Sequence, residues 1–385
     1  MQHLHSVDLI SGVSHYHIAE EAVLPDDQAD ALAGTYVDEE HYELLINHDA
    51  DVWTPEGDLL VRFRKNVLPS RECGRAWKVL RTIHNPATNR GMAAGKHEGK
   101  AFINPIKLDG TRSNTDYTAG RLNSAQNRGY YNGKPILKDG TVSNTTRRHI
   151  SDGLADSSSG IIGSFDRYAR FPFCRLTAFT KDNPGDMLKV ADYIRAIDKV
   201  FCAELPDRYQ AQMAMVEQTK SDWIIPGTAF TTCTVNKNFR TAVHKDAGDL
   251  KEGFGVLSVL EAGDTYAGCY LVFPKYRVAV DMRTSDVLLC NVHEWHGNTP
   301  LIGKKGHYER ISVVLYYRAK MHKCGTADEE EFRAKHRKLG DPLYDRDSRP
   351  QLVTTDGTEE NTDALYDDQL ALANMGALGG GGEAQ

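Results

Sequence analysis

From residue 227 onward the chain is cut into short β-forming runs, and this pattern constrains the fold more than any other feature. The runs are TAFTTCTV, FGVLSVLEA, CYLVFP, YRVAV, DVLLCNV and RISVVLYY. They recur every roughly 8–15 residues with Gly, Pro or Asp between them, as strands of an antiparallel sandwich or jelly roll do. Upstream, Met187, Val190, Ile194, Ile197 and Phe201 fall at helical spacing. Pro206 interrupts that run, and a second helix, DRYQAQMAMVEQ, follows. RECGRAWKVLRTI predicts a further helix within 61–100. The expected fold is mainly β with flanking helices (α+β), an antiparallel sandwich or jelly-roll core with an N-terminal extension.

Charge divides the chain into blocks. Residues 1–60 hold fourteen acids and no Lys or Arg, whereas residues 61–150 hold eighteen Lys and Arg against five acids. The last 65 residues are again acidic and end in GALGGGGEAQ, which reads as a flexible tail. Four regions follow: an acidic N-terminal segment (1–60), a basic, loop-rich region packed on the core (61–160), the β core (161–320) and an acidic, partly flexible C-terminal region (321–385). The basic block is a candidate footprint for nucleic acid, with Arg112, Arg121, Arg128, Arg147 and Arg148 as phosphate contacts. The alternative is that it folds against the acidic N-terminus. Within the block, LDGTRSNT (108–115) and KDGTVSNT (138–145) form a near-repeat around Asp-Gly turns.

Composition excludes several classes. No run of apolar residues is long enough to span a bilayer. MQHLHSVDLI lacks the basic and apolar regions of a secretory signal. Seven cysteines, dispersed and without a C-x-x-C pair, argue against a disulfide framework and a structural zinc cluster. The expected location is the nucleus or cytoplasm, with no secretion and no membrane partner. Oligomeric state leaves no mark in the sequence.

A metal constellation sits inside the β pattern. The triplet His-x-Asp/Glu occurs at His41, His244 and His307, and about two are expected by chance, so context must decide. Only His244 is followed by Asp at the third place, and it follows a β run. In an extended segment His244 and Asp246 share a face while Lys245 turns away. A later run, DVLLCNVHEW, leads into His296, and two His with one carboxylate make the facial triad of non-haem Fe(II) oxygenases. His293 competes for the third place, but His296 stands directly before the Gly where the strand should end. Arg310 and Ser312 share a face on the last run, and a guanidinium fork beside a hydroxyl suits a cosubstrate carboxylate. Each part also has an ordinary structural use: a turn cap, a salt bridge, a surface strand residue.

Three stretches carry a resemblance: HKDAGD; VLSVLEAGDTYAGCYLVFPKYRVAVDMRTSDVLLCNVHEWHGN; and YERISVVLYYR. With GSFDR, CRLTAF and TVNKNFRTAVH upstream, residues 160–320 resemble the TET/JBP family of DNA-modifying dioxygenases. The resemblance implies a double-stranded β-helix, Fe(II) and O2 at His244, Asp246 and His296, and action on the 5-methyl group of a pyrimidine in DNA. The compact HKDAGD motif is most similar to the green-algal 5-methylcytosine-modifying branch, which uses L-ascorbate (vitamin C) and transfers a glyceryl unit. Unlike the animal TET pattern, no cysteine-rich region precedes the core.

The cosubstrate is expected to be ascorbate, whose hydroxyl donors Asp249 can accept, with 2-oxoglutarate as the alternative that Arg310 favours. A paired methyl group cannot reach a buried metal, so the base must be flipped out. Asn236, Phe239 and Trp295 are the candidates to hold it, with Tyr130 and Tyr131 in the basic block. Other readings are a 2-oxoglutarate-dependent hydroxylase of 5-methylcytosine or thymine, a hydroxylase of protein or small molecules, a catalytically inactive DNA-binding module, and a sugar-binding or storage jelly roll.

Overall fold

Side chains two apart on a strand face the same way, and along Tyr308–Tyr316 this alternation sorts two environments. Ile311, Val313 and Leu315 turn to an apolar layer, while Arg310, Ser312, Val314 and Tyr316 turn into a cavity. The protein was analysed as a computed structural model, which describes residues 5–82, 93, 130–131, 134–135, 158–167, 171–246, 248–304 and 306–337.

Ten strands form the large sheet. In spatial order they are His5–Ile10, Val13–Ile18, Ala50–Trp53, Leu59–Arg64, Val287–Cys290, Gly255–Gly263, Tyr308–Tyr316, Thr232–Lys237, Ser158–Phe165 and Arg175–Leu176. A four-stranded sheet, Gly297–Asn298, Leu271–Phe273, Val278–Val280 and Leu44–Ile46, packs against it. Leu257, Val259, Leu288 and Cys290 of the large sheet meet Leu271, Phe273, Val278 and Val280 of the small one. This is the jelly-roll core.

Helices cover the other face of the large sheet. Pro184–Glu204 buries Val190, Ile194, Ile197 and Phe201, four of the five residues read at helical spacing, against Val256, Val287, Val313 and Leu315. Emptying one such position, Phe201→Ala, removes about 3–5 kcal/mol. Pro206 starts Pro206–Gln218 at its first position, where a missing N–H costs nothing. Ser70–Leu80 is the third covering helix and presents Cys73, Ala76, Val79 and Leu80 to the core.

The acidic N-terminal sixty residues contribute strands to both sheets. Leu44–Ile46 pairs in parallel with Val278–Val280, and Leu59–Arg64 pairs antiparallel with Val287–Cys290. Fully buried Asp51 is held by Arg62 at 2.5 Å and Arg64 at 2.9 Å. Acid and base from the two blocks therefore do fold together at these residues, in adjacent strands of the large sheet. Most of the basic block, with Arg112, Arg121, Arg128, Arg147, Arg148 and the two Asp-Gly repeats, lies outside the described residues. Tyr130–Tyr131 pairs with Lys134–Pro135 as a short ladder.

The expectation of no disulfide is corrected. Cys174 and Cys324, 150 residues apart, are joined. The fold brings the edge strand Arg175–Leu176 beside the approach to the C-terminal helix Ala327–Arg337, a proximity that no local spacing announces. Among the described residues, no helix is long and apolar enough to cross a membrane.

Candidate active site

His244 and His296 form an antiparallel bridge, each donating its backbone N–H to the other's carbonyl at 2.9 and 3.0 Å. Their ring centroids are 4.4 Å apart. Asp246 reaches toward both, with its oxygens 3.6 Å from His244 Nε2 and 3.8 Å from His296 Nε2. Gly297 allows the approach, because a Cβ there would stand 3.0 Å from the Val243 amide nitrogen.

The tautomers follow from the backbone. His244 Nδ1 lies 2.8 Å from the Ala242 carbonyl and His296 Nδ1 lies 2.9 Å from that of Glu294. A carbonyl only accepts, so both Nδ1 atoms carry the proton and both Nε2 lone pairs face Asp246. Burial, reinforced by the neighbouring His244, lowers the His296 pKa to about 4, against the pull of Asp246. His296 is thus neutral near pH 7. One ligand atom from each of the three residues lies within 4.8 Å of the others. Two imidazoles that turn Nε2 inward and a carboxylate with open space alongside are the donor set of a facial-triad Fe(II) site. His293, the competitor, does not join them.

The triad opens on a cavity of about 370 Å³. At one end stand Arg310, Ser312 and Asn236. Asn236 and Ser312 are cross-strand partners, and Ser312 is flanked on its other side by Val259. Arg310 is 4% exposed and its Nε has no hydrogen-bond partner. A buried guanidinium with an open donor calls for an anionic acceptor. Burial works to lower the Arg310 pKa, and Cys269, Tyr266 and Glu261 hold it above the ordinary value.

At the other end stand Asp249, Arg318, Tyr316, Thr234 and Phe165. Arg318 donates its Nε–H to Asp166 at 2.6 Å and lies over the Phe165 ring at 5.4 Å. Asp249 faces Arg318 through an antiparallel bridge, and its Oδ2 is sealed from water without a partner. Burial first and the Asp246 charge second push the Asp249 carboxyl well above the ordinary range, with Arg318 pulling the other way.

Several sequence expectations are redrawn by this geometry. His244, Asp246, His296, Arg310, Ser312, Asn236 and Asp249 share the cavity. Phe239 and Trp295 do not line it. Phe239 is buried elsewhere, and Trp295, one residue from a ligand on an extended segment, faces the opposite side and donates to Asp30. Thr234, Tyr316, Arg318 and Asp166 were missed. Tyr316 and Arg318 continue the even-numbered series 310, 312, 314, and that period was available in the sequence.

Residues 162–319 match the family model of Tet_JBP, described as the oxygenase domain of the 2OGFeDO superfamily. Over these residues the chain is similar to a TET/JBP oxygenase domain. The superfamily implies Fe(II), 2-oxoglutarate and O2, and the triad and Arg310 fit the first two. Over 217 residues, 55% of this chain, the sequence is 34% identical to the bifunctional helicase and thymine dioxygenase JBP2 of Trypanosoma brucei brucei, covering 19% of it. Over 202 residues it is 37% identical to thymine dioxygenase JBP1 of Trypanosoma brucei brucei, covering 51% of this chain and 23% of that protein. The chain thus spans about a fifth of the length of these curated relatives. A structure of NgTET1 in complex with 5mC DNA aligns over 76% of this chain and 86% of its own, with 12% identity and a TM-score of 0.44. The family match begins inside the strand Ser158–Phe165, so the N-terminal strands that complete both sheets precede it.

Proposed function

We propose that this chain is an Fe(II)-dependent dioxygenase of TET/JBP type that oxidises the 5-methyl group of a flipped pyrimidine in DNA, with 2-oxoglutarate as cosubstrate, and that it works in the nucleus. The observation that carries the reading is a single cavity holding the triad between two guanidinium groups with different work left to do. When bound, the metal with O2 supplies the oxidant for an unactivated methyl group, chemistry that no side chain provides. His244, Asp246 and His296 would hold it. Arg310 and Ser312 anchor the acid arm of the cosubstrate through the buried Nε–H and the hydroxyl.

The base belongs at the Asp249 end. Phe165 and Tyr316 supply ring surfaces, and Asp249 and Arg318 supply an acceptor beside donors. The pairing edge of 5-methylcytosine runs donor, acceptor, acceptor. One carboxylate next to one guanidinium, whose Nε is already taken by Asp166, complements that order better than the acceptor, donor, acceptor edge of thymine. Burial is the larger cause of the raised Asp249 pKa, and a bound cation at Asp246 would offset the smaller one, the Asp246 charge. The basic block 61–160 is kept as the DNA-backbone contact.

A second reading rests on the same Asp249. If its open oxygen accepts from hydroxyls of a cosubstrate instead of from a base, L-ascorbate fits and a glyceryl unit is transferred to the methyl carbon of 5-methylcytosine. Incubating methylated and unmethylated DNA with Fe(II) and each cosubstrate, then weighing the nucleosides, separates the readings. One added oxygen on 5-methylcytosine with 2-oxoglutarate supports the first, a glyceryl adduct with ascorbate supports the second, and an unchanged nucleoside pool with both sinks the enzyme reading in favour of a DNA-binding module.

A further inference from the structure

The oxygenase-domain match begins at residue 162, yet a segment far upstream grips both ligand-bearing strands. Gly34 donates its N–H to the Val243 carbonyl at 2.7 Å, and Val243 donates to the Thr35 carbonyl at 2.8 Å. Val243 is the residue before His244. Arg240 donates from Nη2 to the Val37 carbonyl at 2.5 Å. On the second strand, Trp295 donates its indole N–H to Asp30 at 2.7 Å, and Trp295 is the residue before His296. Lys245 lies over the Trp295 ring at 4.7 Å and so spans the two strands on their outer side. Val37 and Val243, both fully buried, pack with Val272 and Ala279 beneath this segment. The side chains of Val243, Lys245 and Trp295, each one residue from a ligand, turn away from the imidazoles, because neighbours in an extended chain point to opposite sides.

We infer that residues 30–37 form a brace for the metal centre, with Asp30 as a positioning residue that sets metal affinity through Trp295 although it touches neither metal nor substrate. The two segments meet at the His244–His296 bridge and at the Asp246–Val292 and Asn298–Thr241 main-chain bonds, and the upstream segment ties each of them from a third direction. The brace clamps one strand by main-chain bonds and the other by one charge-assisted bond, holding both Nε2 atoms turned to Asp246 before a metal arrives. Groups that orient a ligand directly alter metal affinity by about 10–100-fold when removed. Asp30 acts one residue further out, and about a fivefold effect is expected.

This inference rests on the triad reading, and metal uptake tests it without turnover. The full chain is titrated with Co(II), followed by its visible absorption, for wild type, Asp30→Ala, Asp30→Asn and Trp295→Phe, with melting curves alongside. Asp30→Ala and Trp295→Phe should each weaken Co(II) binding about fivefold with melting unchanged. Asp30→Asn keeps an acceptor oxygen and should bind as wild type does. The double variant Asp30→Ala/Trp295→Phe should be no worse than either single one. Wild-type affinity in both single variants, or effects that add, overturns the brace. Should Asp30→Ala fail to fold, Trp295→Phe against Asp30→Asn decides alone. A wild-type chain that takes up no Co(II) sinks the triad itself, a different result from a wild type that binds beside indifferent variants.

Discussion

Arg310 and Arg318 sit eight residues apart on one strand and its extension, pointing into one cavity, and they are not equivalent. Arg310 is almost fully buried with an open Nε–H. Arg318 has spent its Nε on Asp166 and lies opposite a carboxyl, Asp249, with an open oxygen. The first end has a donor without an acceptor. The second already holds a charge pair and offers one acceptor beside the remaining donors, which suits a neutral heterocycle edge. Residue type alone does not say what an arginine binds; the donors left over after folding do.

The largest test strikes what both ends share. Asp246→Ala should abolish stoichiometric metal uptake and lower turnover by about a thousandfold or more, read by metal analysis and nucleoside mass spectrometry. A variant that retains iron would mean the ends do not share a triad. Next, Arg310→Met should raise the KM for the cosubstrate by about 10–100-fold, the worth of one charge-assisted hydrogen bond, while DNA affinity stays level. If DNA affinity falls and the cosubstrate KM does not, the two ends have been assigned the wrong way round. Smaller again, Asp166→Asn should loosen Arg318 and raise the DNA KM by about fivefold with the cosubstrate KM unchanged. Equal changes in both would point to a general disturbance rather than to one end.

The smallest effect sharpens what an open oxygen means. Glu330 is also buried, but Arg167 and the amides of Cys174 and Gly325 occupy its oxygens. Burial works to raise its pKa, and those partners outweigh it, so the net shift is downward. A lowered folded pKa contributes stability that is present above the ordinary glutamate value and drains away as pH falls through the folded one. Glu330→Gln should therefore melt a few degrees lower than wild type at about pH 7, and the gap should close toward about pH 3. A gap that persists in acid would show that shape rather than charge is lost.

Much of this was legible in the residues. The strands after 227 and the helix Pro184–Glu204 follow from periods of two and about 3.6, which are local. His244, Asp246, Arg310 and Ser312 were legible for the same reason, since spacing by two is also spacing by face. The places of Leu44–Ile46 and Leu59–Arg64 were not, because these runs are short and the core strands they join lie more than 200 residues away in sequence. Trp295 shows the limit of composition: an aromatic beside a ligand reads as a platform, but parity turns it outward to Asp30. Cys174 and Cys324 carry no spacing signal at all.

The sequence by itself determined the strand and helix periods, the chemistry of the ligands and which side chains must share a face, because these depend on bond geometry over a few residues. Only the tertiary structure decided which face turns inward, that His296 rather than His293 meets His244, that Asp30 reaches Trp295, and that Asp166 closes one arginine while the other stays open. Those are distances between segments far apart in the chain, and they exist only once burial has brought both sheets and their covering helices together.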